Sequence, residues 1–228
     1  MRDNIRQSPF KEAVVSAAPK LVLTLVLLAL LATSNAQAQD DSRRLELFVE
    51  GGPSFYTSKS EPTLFVSPSL PSPVDAVSRS SLGISGRLFT GGRLYLTPKD
   101  SLEASYAFSA NRLRTTISAT APGSGTLFFL SDSMRIHQLQ FNYVRRLVER
   151  GRFQAFATGG LGVVDYSAFG DDDVKFAGNF GGGADIRLHE RVSLRVQFQD
   201  VVARLPALAF EKGTTHNLVP SAGFAFRF

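Results

Sequence analysis

Residues 216–228, HNLVPSAGFAFRF, decide how the rest of the chain is read. Counted back by twos, Phe228, Phe226, Phe224, Ala222, Pro220 and Leu218 share one face of an extended segment. Arg227, Ala225, Gly223, Ser221 and Asn217 share the other, broken by the apolar Val219. A period of two predicts a strand with one apolar and one mostly polar side. A strand in last place leaves an unpaired edge unless another strand covers it. Closing the sheet into a barrel removes that edge, and a barrel with its apolar side outward belongs in lipid.

The opposite end of the chain reads as an address. Basic Arg2, Arg6, Lys11 and Lys20 precede the apolar run 21–32, and the small residues Ala36 and Ala38 follow at cleavage spacing. This predicts a signal peptide over 1–38, cut between Ala38 and Gln39, and a barrel domain over 39–228. The other reading, a single membrane anchor, needs about 20 apolar residues, more than this run supplies. Removing 38 of 228 residues leaves 190, and losing four cations against Asp3 and Glu12 takes the net charge from +5 to +3. With that mild charge and no basic run, no nucleic-acid partner is expected. There is no cysteine, so packing and hydrogen bonds alone must hold the fold.

Seven further segments alternate. They are 45–55, 83–96, 102–111, 138–143, 153–164, 176–188 and 192–199. In 102–111 the apolar set Leu102, Ala104, Tyr106, Phe108 and Ala110 opposes Glu103, Ser105, Ala107, Ser109 and Asn111. The facing of 153–164 stays open, because Phe156 and Val164 sit out of phase. Alternation falters at Asp200, which predicts a bulge or a strand end there. The connections 97–100, 149–151 and 189–191 are tight. Those at 56–82, 112–133, 165–175 and 202–215 are long. Short and long in strict alternation, with both termini on the short side, predicts an even number of antiparallel strands; eight fits the length.

Which face meets water is a separate question, since a soluble ligand-binding barrel hides its apolar side. After the signal, lysine occurs only at Lys59, Lys99, Lys175 and Lys212, each in a connection or at a strand end. A wet strand face would carry lysines along its length. The polar faces instead hold Arg87, Arg93, Arg187, Arg195 and Arg227 against Glu46, Glu50, Glu103 and Asp185. Such a near balance suits an interior where each charge needs a partner. Counting from the tight connections sets Asp185 opposite Arg195 and Glu103 beside Arg93; closure of the last strand on the first brings Arg227 toward Glu46. The expected fold is therefore all-β: an eight-stranded antiparallel up-and-down transmembrane β-barrel.

On these residues the chain, from 45 to 228, resembles the small outer-membrane barrels related to the transmembrane domain of outer-membrane protein A. The resemblance rests on the signal, the alternating connections, glycine-rich strands such as 180–185 and the phenylalanine ending. It implies location in the cell outer membrane of a Gram-negative bacterium and contact with outer-membrane lipid and lipopolysaccharide. It also implies that Phe224, Phe226 and Phe228 are read by the barrel insertion machinery. No wall-anchoring role through a further domain is expected, and a monomer is expected.

Little catalytic chemistry is visible. The glycines at 159–162 and 181–183 lack the lysine and helix of a phosphate loop, and serve curvature instead. Asp171, Asp172 and Asp173 lack calcium-loop spacing and read as a solvated tip. Ser133 and His137 invite comparison with barrel lipid hydrolases, yet no acid–His–Ser set can be specified, so no enzyme is expected. No cofactor or metal is expected either. Arg112, Arg114 and Arg135 gather at the outer rim, where they would meet lipopolysaccharide phosphates or simply snorkel. Apolar pieces at 65–66, 127–130 and 205–210 leave three readings: strands extending above the membrane, a packed loop cluster, or a docking surface. The piece 67–73 is expected to be mobile. Since an eight-stranded barrel is filled by its own side chains, ion pairs would plug it. The expected role is structural or surface interaction through the outer loops. A narrow gated channel and a lipid-modifying enzyme are the alternatives.

Overall fold

The structure, a computed structural model, describes residues 45–61, 63–66, 75–119, 126–168, 171–204 and 212–228. The expected signal segment, its expected cleavage site at Ala38 and Gln39, and the pieces 67–73 and 205–210 lie outside these residues. Ten strands form: β1 (Leu45–Glu61), β2 (Thr63–Val66), β3 (Asp75–Leu82), β4 (Ser85–Tyr95), β5 (Asp100–Ala119), β6 (Thr126–Arg150), β7 (Phe153–Ala168), β8 (Asp171–Arg187), β9 (Val192–Arg204) and β10 (Lys212–Arg227). No helix occurs among the described residues.

The barrel has eight staves. Both β3 and β4 pair with β5, at residues 113–119 and 101–109 respectively, so they share one stave interrupted at Gly83–Ile84. β2 pairs with β3 on the side away from β5, the side that β1 takes along β4. The ring closes where β1 pairs with β10 along Glu46↔Arg227 to Glu61↔Lys212, which covers the edge of the last strand. The long connections are shorter than the alternation implied. β5 and β6 stay paired as far as Ser118↔Thr126, so most of 112–133 is strand, including 127–130. Asp171, Asp172 and Asp173 open β8 instead of forming a loose tip, with Asp173 2.8 Å from Lys175.

Strand parity sorts the side chains. On the outside, Val49, Phe55, Leu88, Leu94, Leu102, Phe141, Leu161, Phe180, Val196, Phe198, Phe224 and Phe226 are exposed. From Leu218 to Phe228 is about 33 Å along the strand and, at the usual tilt, about 25 Å of height, which matches an outer-membrane apolar band. The inside at the same level is polar: Glu46, Glu50, Arg93, Glu103, Gln140, Asp185, Arg195 and Gln199 are all buried.

Toward the long-connection end the pattern reverses. Met134, Ile136, Val164, Tyr166, Ala168, Ala177, Val201 and Ala203 now point inward and pack as one apolar cluster, with Tyr56 against it. Arg112, Ser133, Arg135 and Arg204 are exposed on the outside there, with Phe176, level with Arg204, as an apolar exception. This reversal explains two irregularities. β9 runs through Asp200 without a register shift, so the expected bulge is absent; polarity changes there and the ladder does not. In β7, Val164 faces inward within this cluster; Phe156, lower down, also faces inward beside Gln154 and Thr158, so both sit out of phase with an apolar-outward reading. Real register shifts fall instead between Arg146 and Val148 and between Ile117 and Ser118.

Inward glycines let neighbouring staves approach. A Cβ at Gly160 would lie 2.1 Å from the carbonyl oxygen of Phe141, so no side chain fits without moving backbone. Gly151, at φ 60°, makes the tight β6–β7 turn, a conformation favouring glycine.

Candidate functional site

The lumen near the short-turn end is filled by charge. Arg195 on β9 sits directly across from Asp185 on β8 and donates to both of its oxygens, at 2.6 and 2.9 Å. It also donates to Glu46 on β1. Arg93 on β4 donates twice to Glu103 on β5, at 3.1 and 2.8 Å, and approaches Glu46 and Asp185 at 3.8 and 3.7 Å. Arg227 reaches Glu46 at 3.0 Å, as does the Tyr95 hydroxyl. Asn142 donates to the free oxygen of Glu103 at 3.2 Å. Three guanidiniums thus meet three carboxylates, contributed by β1, β4, β5, β8, β9 and β10.

Aromatic rings complete this plug. The Arg93 and Arg195 guanidiniums lie 4.6 and 5.3 Å from the Phe156 ring centroid, and Arg195 is 5.1 Å from that of Phe48. An inward Phe among charges stabilises them through its negative ring face while excluding water. Alternation alone could not identify Phe156 as lumenal, because apolar residues were assigned outward.

Three of the expected network residues stand apart. Arg187 is half-buried at the short-turn end and pairs with Glu149 at 3.5 Å, outside the cluster. Glu50 and Arg87 are buried further up and form no ion pair with each other. Ser221 donates to Glu50 at 2.7 Å, and Arg87 lies 5.3 Å from the Phe89 ring. All three Arg87 guanidinium nitrogens and Glu50 Oε1 lack hydrogen-bond partners among the described residues. Above them comes the apolar cluster, so the lumen holds a charged layer, a polar layer and an apolar layer in succession.

Arg112, Arg114 and Arg135 are exposed on the outer wall of β5 and β6. Arg135 faces Ala110 across the ladder and Arg112 faces Ser133, which makes the two arginines diagonal neighbours. Just below them Tyr106 Oη lies 2.6 Å from His137 Nδ1, and His137 opposes Asp165 in register. On the far side, His216 Nδ1 is 2.9 Å from Asp200 Oδ2. Ser133 and His137 share a face, but four strand residues separate them by about 13 Å, too far for a nucleophile–base pair. Among the described residues no cluster of three or more His, Asp or Glu side chains could hold a metal ion.

A sequence model of the family described as "Outer membrane protein beta-barrel domain" matches residues 24–228. No curated protein matches the chain. Among solved structures, Neisserial surface protein A is similar at 13% identity and TM-score 0.52, over 83% of this chain and 100% of that one. The outer membrane protein OprG from Pseudomonas aeruginosa is similar at 11% identity and TM-score 0.45, over 82% and 99%. The outer membrane protease OmpT from Escherichia coli is similar at 8% identity and TM-score 0.44, over 84% and 99%. Charges paired within, an apolar band without, covered edges and the family match over most of the chain lead to one assignment: the chain belongs to the outer membrane protein β-barrel domain family and resides in the cell outer membrane.

Proposed function

We propose that the protein is a non-conducting, non-catalytic surface barrel whose long-connection end is presented for interaction outside the cell. The observation that carries this reading is the reversal of polarity along the staves. Apolar packing inside the barrel around Ile136, Val164 and Val201, beneath an outer wall that carries Arg112, Arg135 and Arg204 beside the exposed Phe176, is closer to the arrangement of a barrel in water than to one in lipid. In this reading the upper part of the strands projects beyond the lipid as a rigid platform for the connections, and the lipid band lies below it. The charged layer and the apolar layer close the lumen in series, which argues against the narrow channel. Reconstituted in planar bilayers, the protein is expected to give no conductance steps; steps that vanish in an Arg195→Gln variant would favour the channel.

The arginines at the boundary support a partner. Arg112, Arg114 and Arg135 are exposed together on the outer wall toward the long-connection end, where this reading puts lipopolysaccharide phosphates, and planar guanidiniums bind phosphate bidentately. Replacing all three with Gln is expected to reduce co-purified lipopolysaccharide several-fold while heat-modifiable gel migration stays unchanged. Unchanged lipopolysaccharide would reduce these residues to interfacial anchors.

A further inference from the structure

The short-turn end carries an excess of positive charge that the lumenal plug does not use. Its carboxylates are already engaged: Asp100 with Arg145 at 3.1 Å, and Glu149 with Arg146 at 3.0 Å and Arg187 at 3.5 Å. Lys99, Arg150, Arg152 and Arg191 are exposed and take part in none of the described ion pairs; Glu190 contributes one further carboxylate beside Arg191. Four cations therefore face outward in three adjacent turns against one acid.

These cations do not stand in plain water. In the same turns Leu96, Leu147, Val148 and Leu188 are 56%, 62%, 52% and 53% exposed, continuing the apolar wall to the level of the charges. The register shift between Arg146 and Val148 inserts an extra residue at the foot of β6, placing two exposed apolar side chains beside the Arg150–Arg152 turn. Apolar side chains interleaved with cations outside the described ion pairs suit an interface in which acyl chains meet phosphates. A soluble acidic protein would leave the leucines without a partner.

We infer that the short turns form a collar for anionic phospholipid headgroups, selecting phosphatidylglycerol-type monoanions over zwitterionic lipid in the inner leaflet. The geometry is a ring: each turn offers a guanidinium or ammonium to a phosphodiester while its leucine seats the adjoining chain. Short turns face the periplasm in barrels of this class, which places the collar at that leaflet.

The test is native mass spectrometry of the full folded chain, offered equal amounts of phosphatidylglycerol and phosphatidylethanolamine with identical acyl chains. An approximately tenfold preference for phosphatidylglycerol is expected. It should be lost in the Arg150→Gln, Arg152→Gln, Arg191→Gln variant and kept in the Arg112→Gln, Arg114→Gln, Arg135→Gln variant. If the first variant lacks the heat-shifted band of a folded barrel, Lys99→Gln with Arg191→Gln is read instead, with a reduced preference expected. Equal retention of the two lipids overturns the inference. So does a preference that survives the short-turn substitutions, or equal retention accompanied by photo-crosslinks from position 150 to a soluble periplasmic protein.

Discussion

Strand β9 passes through two different worlds without changing its hydrogen bonding. From Val192 to Gln199 it sends Val, Leu, Val and Phe outward while Arg195, Gln197 and Gln199 point in. From Asp200 to Arg204 the outward parity falls to Asp200, Val202 and Arg204, while Val201 and Ala203 point in. The pairing with β8 and β10 is continuous through both halves. Parity is set by the backbone ladder; polarity at each parity is set by the surrounding solvent. On the proposed reading, the change of polarity without a register shift is the height at which the barrel leaves lipid.

The deepest way to disturb the lower half is to remove Arg195. Glu46 and Asp185 would be left as buried carboxylates with less compensation, at a cost of about 3–5 kcal/mol. The urea midpoint of the barrel folded in lipid vesicles should fall accordingly in Arg195→Ala, and an unchanged midpoint would mean the plug is hydrated and worth little. The upper half answers to different chemistry. Ile136→Ala should cost about 2–5 kcal/mol by the same measurement, as in a water-soluble core. A near-zero effect would mean that the upper lumen is loosely filled.

Two substitutions at the same parity of one strand sharpen the contrast further. Val196→Arg, in the apolar band, should cost about 2–4 kcal/mol, whereas Val202→Arg, six residues along, should cost about 0–1 kcal/mol. Equal costs would mean that no lipid boundary lies between them.

Much of the lower half was legible because its alternation is clean. Leu102 to Asn111 and Val192 to Gln199 change character at every residue, and short turns translate that parity directly into cross-strand partners. Counting from the turns places Asp185 opposite Arg195 and Arg93 opposite Glu103, and the ladders put them there. The upper half was harder to read because the same alternation continues with its sign reversed. A single rule, apolar outward, turns Val164 and Val201 into anomalies and Asp200 into a false strand end. Phe156 was obscured for another reason: it lies inward as a ring for two guanidiniums, a use that hydropathy does not record. Arg187 has the lumenal parity of Asp185, but at the foot of β8 a partner outside the plug, Glu149, is nearer. Extension of β5 and β6 into the second long connection was signalled by the apolar run 127–130, which suits a continuing strand as well as a loop cluster.

The most direct test of the lipid boundary uses the absence of cysteine, which lets single labels be introduced cleanly. Spin labels at Val196 and Phe226, and in separate variants at Val202 and Thr214, would be compared for collision with oxygen and with a polar nickel chelate in reconstituted vesicles. The account predicts that the first two favour oxygen, as lipid-facing sites do, and the last two favour the chelate. Labels at Val196 and Phe226 that are shielded from both reagents, or all four sites favouring the chelate, would contradict it.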